Sequence, residues 1–316
     1  MGIKALSLFD GMSCGMIAAE RAGLKVDKYY ASEIDKYAQI VSEANYPQII
    51  RMGDVTKWRE WDIDWSSIDL VTGGFPCQAW SMAGKQLGDK DERGMLFWTM
   101  LDVMKNVREH NPKAHFLIEN VKMKKEFEEY ITHHTEQALG EVHKILINSA
   151  LVSAQNRNRH YWTSFPCNQP EDKGFTLADI IENGFVDQDK GHCVDANYFK
   201  GGNLKSYFEK HRRQLVFEQF GANSKAIPRL LKSTKGSNSK GNCLTATSYK
   251  GMAANGVTNI ISAKSYRKLT PVECERLQTV PDNYTNHVSN TQRYKMLDNG
   301  WTVDVIAHIF SCMEKE

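Results

Sequence analysis

The chain has 316 residues, a quarter of them charged, and a formal net charge of +2. That length supports a large core, no stretch approaches the roughly 18 apolar residues of a membrane helix, and no apolar leader opens the chain, so a soluble cytoplasmic protein is expected. The seven cysteines are scattered, odd in number and without a Cys-x-x-Cys pair, which points to reduced thiols rather than a disulfide frame or a zinc site.

Residues 4–9 read as a strand, followed by Asp10-Gly11-Met12-Ser13-Cys14-Gly15 and a helical stretch over 16–22. Strand, glycine-bearing turn and helix make the first βα unit of a nucleotide-type site, although the turn lacks Gly-x-Gly-x-x-Gly and such turns are often only structural. A second strand, 28–32, ends in Glu33-Ile34, and an acid at that place binds ribose hydroxyls in folds of this kind. At the third edge, Asp54 and Val55 stand where an adenine can be read; a plain turn aspartate fits the local sequence equally well.

The apolar run 68–71 reads as a buried parallel strand and stops at Gly73-Gly74-Phe75-Pro76-Cys77. A free cysteine is more often a small buried hydrophobe than a reagent. Here Pro76 fixes the backbone and two glycines permit close approach, so Cys77 is the candidate nucleophile at the carboxyl edge of the sheet. Residues 78–94 lack any apolar period and read as a mobile lid, and 95–108 as a helix. Another strand, 115–118, ends in Glu119-Asn120-Val121, which places a carboxylate at its edge with partial burial expected. Residues 123–139 are a charged helix, and 144–148 and 160–163 the last strands of the sheet. Between those two, alternation along an extended chain puts Gln155, Arg157 and Arg159 on one side.

From residue 167 to 262 the βα alternation stops, and a second, smaller, irregular domain is expected there, with residues 1–166 and 263–316 forming the first. Residues 200–250 carry 11 Lys and Arg against two acids, Glu209 and Glu218, interleaved with glycines and aromatics, the makeup of a surface that holds phosphates. Thr270-Pro271 with Glu273 spells a helix start, and helices over 292–297 and 303–313 close the chain.

In order and spacing these blocks resemble the cytosine-5 DNA methyltransferases, from Leu6 to about Phe165 and from Arg267 to Phe310. The specific pieces are Gly74-Phe75-Pro76-Cys77-Gln78-Ala79-Trp80-Ser81, Glu119-Asn120-Val121, Gln155-x-Arg157-x-Arg159 and Leu269-Thr270-Pro271-x-Glu273-x-x-Arg276-Leu277-Gln278. The resemblance implies an α/β fold with a doubly wound, mostly parallel, Rossmann-like sheet, S-adenosylmethionine as methyl donor, no metal, and the inserted domain as target-recognition domain. It implies duplex DNA as partner, one protein per site, and a lid that enters the DNA; neither the target sequence nor a cognate restriction enzyme is readable. Phe9, Gly11, Ser13, Cys14, Glu33, Ile34, Asp54, Val55, Pro76, Leu96, Asn299 and Trp301 are then the expected cofactor residues.

The chemistry agrees with this resemblance. Carbon 5 of cytosine is a poor nucleophile until a thiolate, here Cys77, adds at carbon 6. Glu119 can serve ring N3 and the exocyclic amine, Arg159 can place its fork at O2 with Arg157 in support, and the base must leave the duplex. Ser13-Cys14 stands where the commonest bacterial pattern has Gly-Gly, Ser7 where an acid is frequent, and Asp298-Asn299-Gly300-Trp301 where Gly-Asn-Ser/Ala-Val is usual. The Phe9-Asp10-Gly11 opening and Trp301 are closer to the de novo animal branch and some phage or orphan bacterial enzymes. The rival readings are a tRNA cytosine-5 methyltransferase, a non-catalytic DNA-binding homologue, and a nucleotide-binding oxidoreductase.

Overall fold

The computed structural model of the chain describes residues 2–76, 94–195, 197–202, 204–217 and 266–313. Cys77, most of the expected lid, and residues 218–265 with the larger part of the basic segment lie outside the described residues.

Seven strands, β1 (Ile3–Leu8), β2 (Val26–Ser32), β3 (Ile50–Arg51), β4 (Leu70–Gly73), β5 (His115–Val121), β6 (His143–Asn148) and β7 (Asn158–Thr163), form one sheet. Their order is β3-β2-β1-β4-β5-β7-β6. The first five are parallel, and β7 lies antiparallel between β5 and β6. From β1 the chain winds outward to β2 and β3, then returns to β4 on the other side. The gap between β1 and β4 is therefore the topological switch point, where such sheets hold ligands beyond their carboxyl ends.

The strands are apolar on consecutive residues because both faces are covered. Ala5, Tyr29, Leu70, Leu117 and Tyr161 point to one face and pack with α1 (Cys14–Arg21) and, late in the chain, the helix Val303–Ser311. Their neighbours Leu6, Tyr30, Val71, Phe116 and Trp162 point to the other. α2 (Lys36–Asn45) follows β2, and α3 (Leu96–His110) and α4 (Lys125–Leu139) bracket β5 in the chain. α3 buries Phe97, Met100, Leu101, Val103, Met104 and Val107 on that second face. Each such side chain contributes about 1.5–3 kcal/mol on full burial, so α3 is fixed by its apolar stripe rather than by its weak amino-terminal cap.

Two departures from the expected strand bounds bear on the site. β4 begins at Leu70 because a 3-10 turn, Trp65–Ser67, absorbs the approach, although Ile68 is fully buried. β5 runs on to Val121, since β7 pairs with it as far as Val121 opposite Arg159. Glu119 thus sits within a paired strand rather than after its end.

α5 (Pro271–Leu277) begins as the sequence spells it: the Thr270 hydroxyl accepts from the Glu273 N–H at 3.1 Å, and the Glu273 carboxylate accepts from the Thr270 N–H at 2.7 Å. Fully buried Glu273 is also gripped by both terminal nitrogens of Arg267, each at 2.8 Å. α6 (Asn290–Asn299) and α7 (Val303–Ser311) complete the helices at this end. In the region expected to be a separate domain, Leu177, Ile180, Val194, Tyr198 and Val216 share one hydrophobic cluster with α5 and α7. The strand Leu215–Phe217 pairs antiparallel with Tyr266–Lys268, so the two ends flanking residues 218–265 lie side by side.

Candidate active site

A cavity of about 300 Å³ opens at the carboxyl ends of β1, β2, β4 and β5. Its first wall is the β1–α1 loop. Phe9 and Gly11 have φ of 57° and 61°, and a Cβ on Gly11 would meet nothing within 4 Å, so it is backbone conformation rather than space that suits glycine there. The Gly11 N–H donates to Glu33 Oε2 at 2.8 Å, and the Ile34 and Asp35 N–H groups donate to Glu33 Oε1, each at 2.7 Å. Three main-chain donors therefore fix this carboxylate at the cavity edge. Ile34 is 74% exposed beside it, an apolar side chain on the cavity lining. Asp54 caps the 3-10 helix Val55–Glu60, taking the Thr56 N–H and hydroxyl on one oxygen at 2.9 Å each, and Val55 is buried next to it. Pro76 and Leu96 complete this end.

The other end is built on β5. Glu119 is 9% exposed and still lines the cavity. Its Oε1 lies 3.1 Å from Arg159 Nε, and its Oε2 accepts from the Trp301 indole N–H at 3.1 Å. Arg159 reaches it because β7 pairs directly with β5. Buried Asn120 donates from Nδ2 to the Phe75 carbonyl at 3.0 Å and ties the strand to the segment that leads into Cys77. Gly74 leaves room for this contact: a Cβ there would lie 3.1 Å from both Glu119 Oε2 and Trp301 Nε1, closer than ordinary packing.

Arg157 differs in role from Arg159. It is 3% exposed, and one terminal nitrogen donates to the carbonyls of Asp298 at 2.7 Å and Gly300 at 3.0 Å while the other donates to Cys193 Sγ at 3.2 Å. Burial opposes its charge, but Cys193, Asp298 and Glu119 outweigh that and drive the guanidinium pKa further up. It clamps the Asp298-Asn299-Gly300 turn that forms the far wall. Gln155, expected on the same side, is turned instead to the end of α5, where it donates to Leu277 O at 2.7 Å.

Ser13 and Cys14 stand behind the wall. The Ser13 hydroxyl is fully buried, donating to Asp10 at 2.5 Å and meeting Ser42 at 2.7 Å; Cys14 is buried and its thiol is pushed up to about 12, chiefly by that burial. Asp10 also accepts from Tyr29 OH at 2.8 Å. Although the residue is half-buried, its carboxyl is enclosed, and desolvation raises it to about 6 against the hydroxyl hydrogen bonds that oppose the rise.

Of the expected residues the structure thus brings Phe9, Gly11, Glu33, Ile34, Asp54, Val55, Pro76, Leu96, Asn299, Glu119, Arg157 and Arg159 to one cavity, with Trp301 hydrogen-bonded to its acid. Sequence reasoning passed over Asn120 and Gly74 as site residues, though both lie inside motifs it singled out. Gln292, Lys295 and Met296 of α6, which also line the cavity, gave no local signal.

The sequence profile of the family described as C-5 cytosine-specific DNA methylase matches residues 3–315. Type II methyltransferase M1.ScrFI of Lactococcus lactis subsp. cremoris is 32% identical over 322 residues, covering 96% of this chain and 76% of that protein. Type II methyltransferase M.HhaI of Haemophilus parahaemolyticus is 30% identical over 332 residues, covering 98% and 93%. Among solved structures, a DNMT2 variant of Spodoptera frugiperda superposes with a TM-score of 0.62 at 18% identity, over 98% of both chains. The Entamoeba histolytica methyltransferase EhMeth gives 0.65 at 14% identity, over 98% of this chain and 97% of that one. At such identities these two likenesses speak to the fold, a mostly parallel sheet with flanking helices.

Proposed function

The chain belongs to the C-5 cytosine-specific DNA methylases, and from that premise we propose that it transfers a methyl group from S-adenosylmethionine to carbon 5 of a cytosine flipped out of a short site in duplex DNA. It is a methyltransferase of the kind its Type II relatives are named for. The observation that carries the finer reading is Glu119, nine-tenths buried yet on the cavity wall, held by a cation on one oxygen and an indole N–H on the other.

The donor set suits the cofactor. Glu33, fixed by three N–H groups, suits ribose hydroxyls; the free oxygen side of Asp54, with Val55 and Ile34, suits an adenine; and Phe9, Pro76, Leu96 and Asn299 close around it. When bound, S-adenosylmethionine supplies the electrophilic methyl group that carbon 5 receives. The chain's own residues do the rest. Cys77 adds as thiolate to carbon 6, Glu119 holds N3 and the exocyclic amine as charge develops in the ring, and Arg159 offers its fork to O2. Loss of the carbon 5 proton then expels the Cys77 thiolate. Arg157 acts through the wall it clamps.

We assign residues 1–166 and 263–316 to catalysis and 167–262 to target recognition, with the basic stretch as the DNA-facing part and one protein per site. The pairing of Leu215–Phe217 with Tyr266–Lys268 supports a segment inserted between adjacent ends. Among the described residues no helix is long and apolar enough to cross a membrane, and a cytoplasmic setting belongs to the same proposal.

The test is sequencing of conversion-resistant cytosines in DNA and in tRNA from cells expressing the chain, beside Cys77→Ala. Protection in one short context, absent from the variant, is expected. Equal protection in both would overturn the reading, and protection confined to tRNA would move the substrate to RNA.

A further inference from the structure

The sequence offers no zinc motif, because no two cysteines stand two residues apart; the fold nonetheless brings together donors remote in the chain. Cys167 follows β7 where that strand ends at the amino edge of the parallel strands, the side of the sheet away from the cavity. His308 lies in the last turn of α7 and Cys312 caps the helix, four residues on, so both lie on one helix face. Cys167 Sγ and Cys312 Sγ are 3.0 Å apart, Cys312 Sγ is 4.0 Å from His308 Nε2, and all three donor atoms fall within 4.8 Å of one another. The Asn168 carbonyl oxygen lies 2.8 Å from the same imidazole nitrogen.

We propose that Cys167, His308 and Cys312 form a site for a thiophilic divalent cation, zinc, with the Asn168 carbonyl or a water as fourth ligand. Two thiolates and an imidazole are the donors that zinc selects over harder cations. Tetrahedral ligation at about 2.3 Å for sulfur and 2.0 Å for nitrogen sets the sulfurs about 3.8 Å apart and sulfur from nitrogen about 3.6 Å. The present separations, 3.0 and 4.0 Å with the third pair within 4.8 Å, fall on either side of these, so binding requires the half-buried side chains to rotate into place. A disulfide would account for the sulfur pair alone, whereas the His308 nitrogen that now meets the Asn168 carbonyl also lies within 4.8 Å of both sulfurs. Bound there, the ion would pin the start of residues 167–217 to the last helix, a link between segments 145 positions apart.

The test uses the full chain, purified under a phosphine reductant, titrated with cobalt(II) and then displaced by zinc. Tetrahedral cobalt should give visible d–d bands and a near-ultraviolet thiolate-to-cobalt band at one equivalent, both abolished by zinc. His308→Ala and Cys312→Ser should each weaken binding by more than the roughly 100-fold that loss of an outer partner can cost. Wild-type protein without the thiolate band, or variants that bind cobalt as tightly as wild type, would overturn the site. So would wild-type protein that, under the same reductant, is recovered two hydrogens lighter with Cys167 bonded to Cys312.

Discussion

Trp301→Phe is the sharpest probe of how the acid is held. The indole is seated between two glycines: a Cβ on Gly15 would come 3.5 Å from its Cζ3, and one on Gly74 3.1 Å from its Nε1. Phenylalanine keeps an aromatic ring in that slot and removes the N–H that donates to Glu119 Oε2 at 3.1 Å, together with part of the ring volume. A hydrogen bond to a charged group is worth about 1.5–3 kcal/mol, and because Glu119 retains Arg159 on its other oxygen the lower part of that range applies. If the carboxylate must be oriented only as charge develops on the base, about 1.5–2 kcal/mol appears as a loss of roughly 10–30-fold in the methyl-transfer rate. The assay is single-turnover transfer from radiolabelled S-adenosylmethionine to a methylatable duplex, with DNA and cofactor affinities measured separately. The rate should fall while both affinities stay within about twofold, because the hydrogen bond lost is one to Glu119 and Trp301 stands outside the residues that line the cavity. A rate within twofold of wild type, or a loss traced entirely to cofactor binding, would refute the orienting role.

Asp10→Asn should stabilise the chain at neutral pH, since a carboxyl titrating near 6 instead of 3.8 costs up to about 3 kcal/mol once both states are ionised. The folded state binds the proton more tightly, so wild-type stability should fall as pH rises from about 4 to 6, and urea unfolding of the variant should lack that slope; identical slopes would contradict it. Glu33→Ala removes the acceptor of three main-chain N–H groups and should weaken S-adenosylhomocysteine binding at least about tenfold by calorimetry, with unchanged binding the adverse result. Arg157→Met removes the donor that the Asp298 and Gly300 carbonyls share and should cost about 1–3 kcal/mol in urea unfolding; an unchanged midpoint would show that the clamp is not structural.

Much of this was legible in the chain because it is local. Apolar runs at 68–71 and 115–118 announce buried strands, Glu33 follows its strand at once, and Thr270, Pro271 and Glu273 spell a cap that the structure makes atom for atom. What was not legible depends on partners distant in sequence. The extent of β5 is decided by β7, and Glu119 meets an indole 182 residues away. Alternation put Gln155, Arg157 and Arg159 on one side, yet the first is captured by the end of α5 and the second by the end of α6, so only Arg159 of the three reaches the acid. Ser13 and Cys14 stand where a glycine pair is usual, and their side chains turn inward to Asp10, Ser42 and the core rather than to the cavity.

The central claim is that Cys77 attacks carbon 6 of a cytosine beside Glu119, and it is met most directly by trapping. A duplex pool in which cytosine is replaced by 5-fluorocytosine blocks loss of the carbon 5 substituent, so the thiol cannot leave after methyl transfer. Incubated with the chain and S-adenosylmethionine, it should yield a covalent protein–DNA species whose modified peptide, by mass spectrometry, carries the nucleotide on Cys77. No adduct, or an adduct on any other cysteine, would contradict the account.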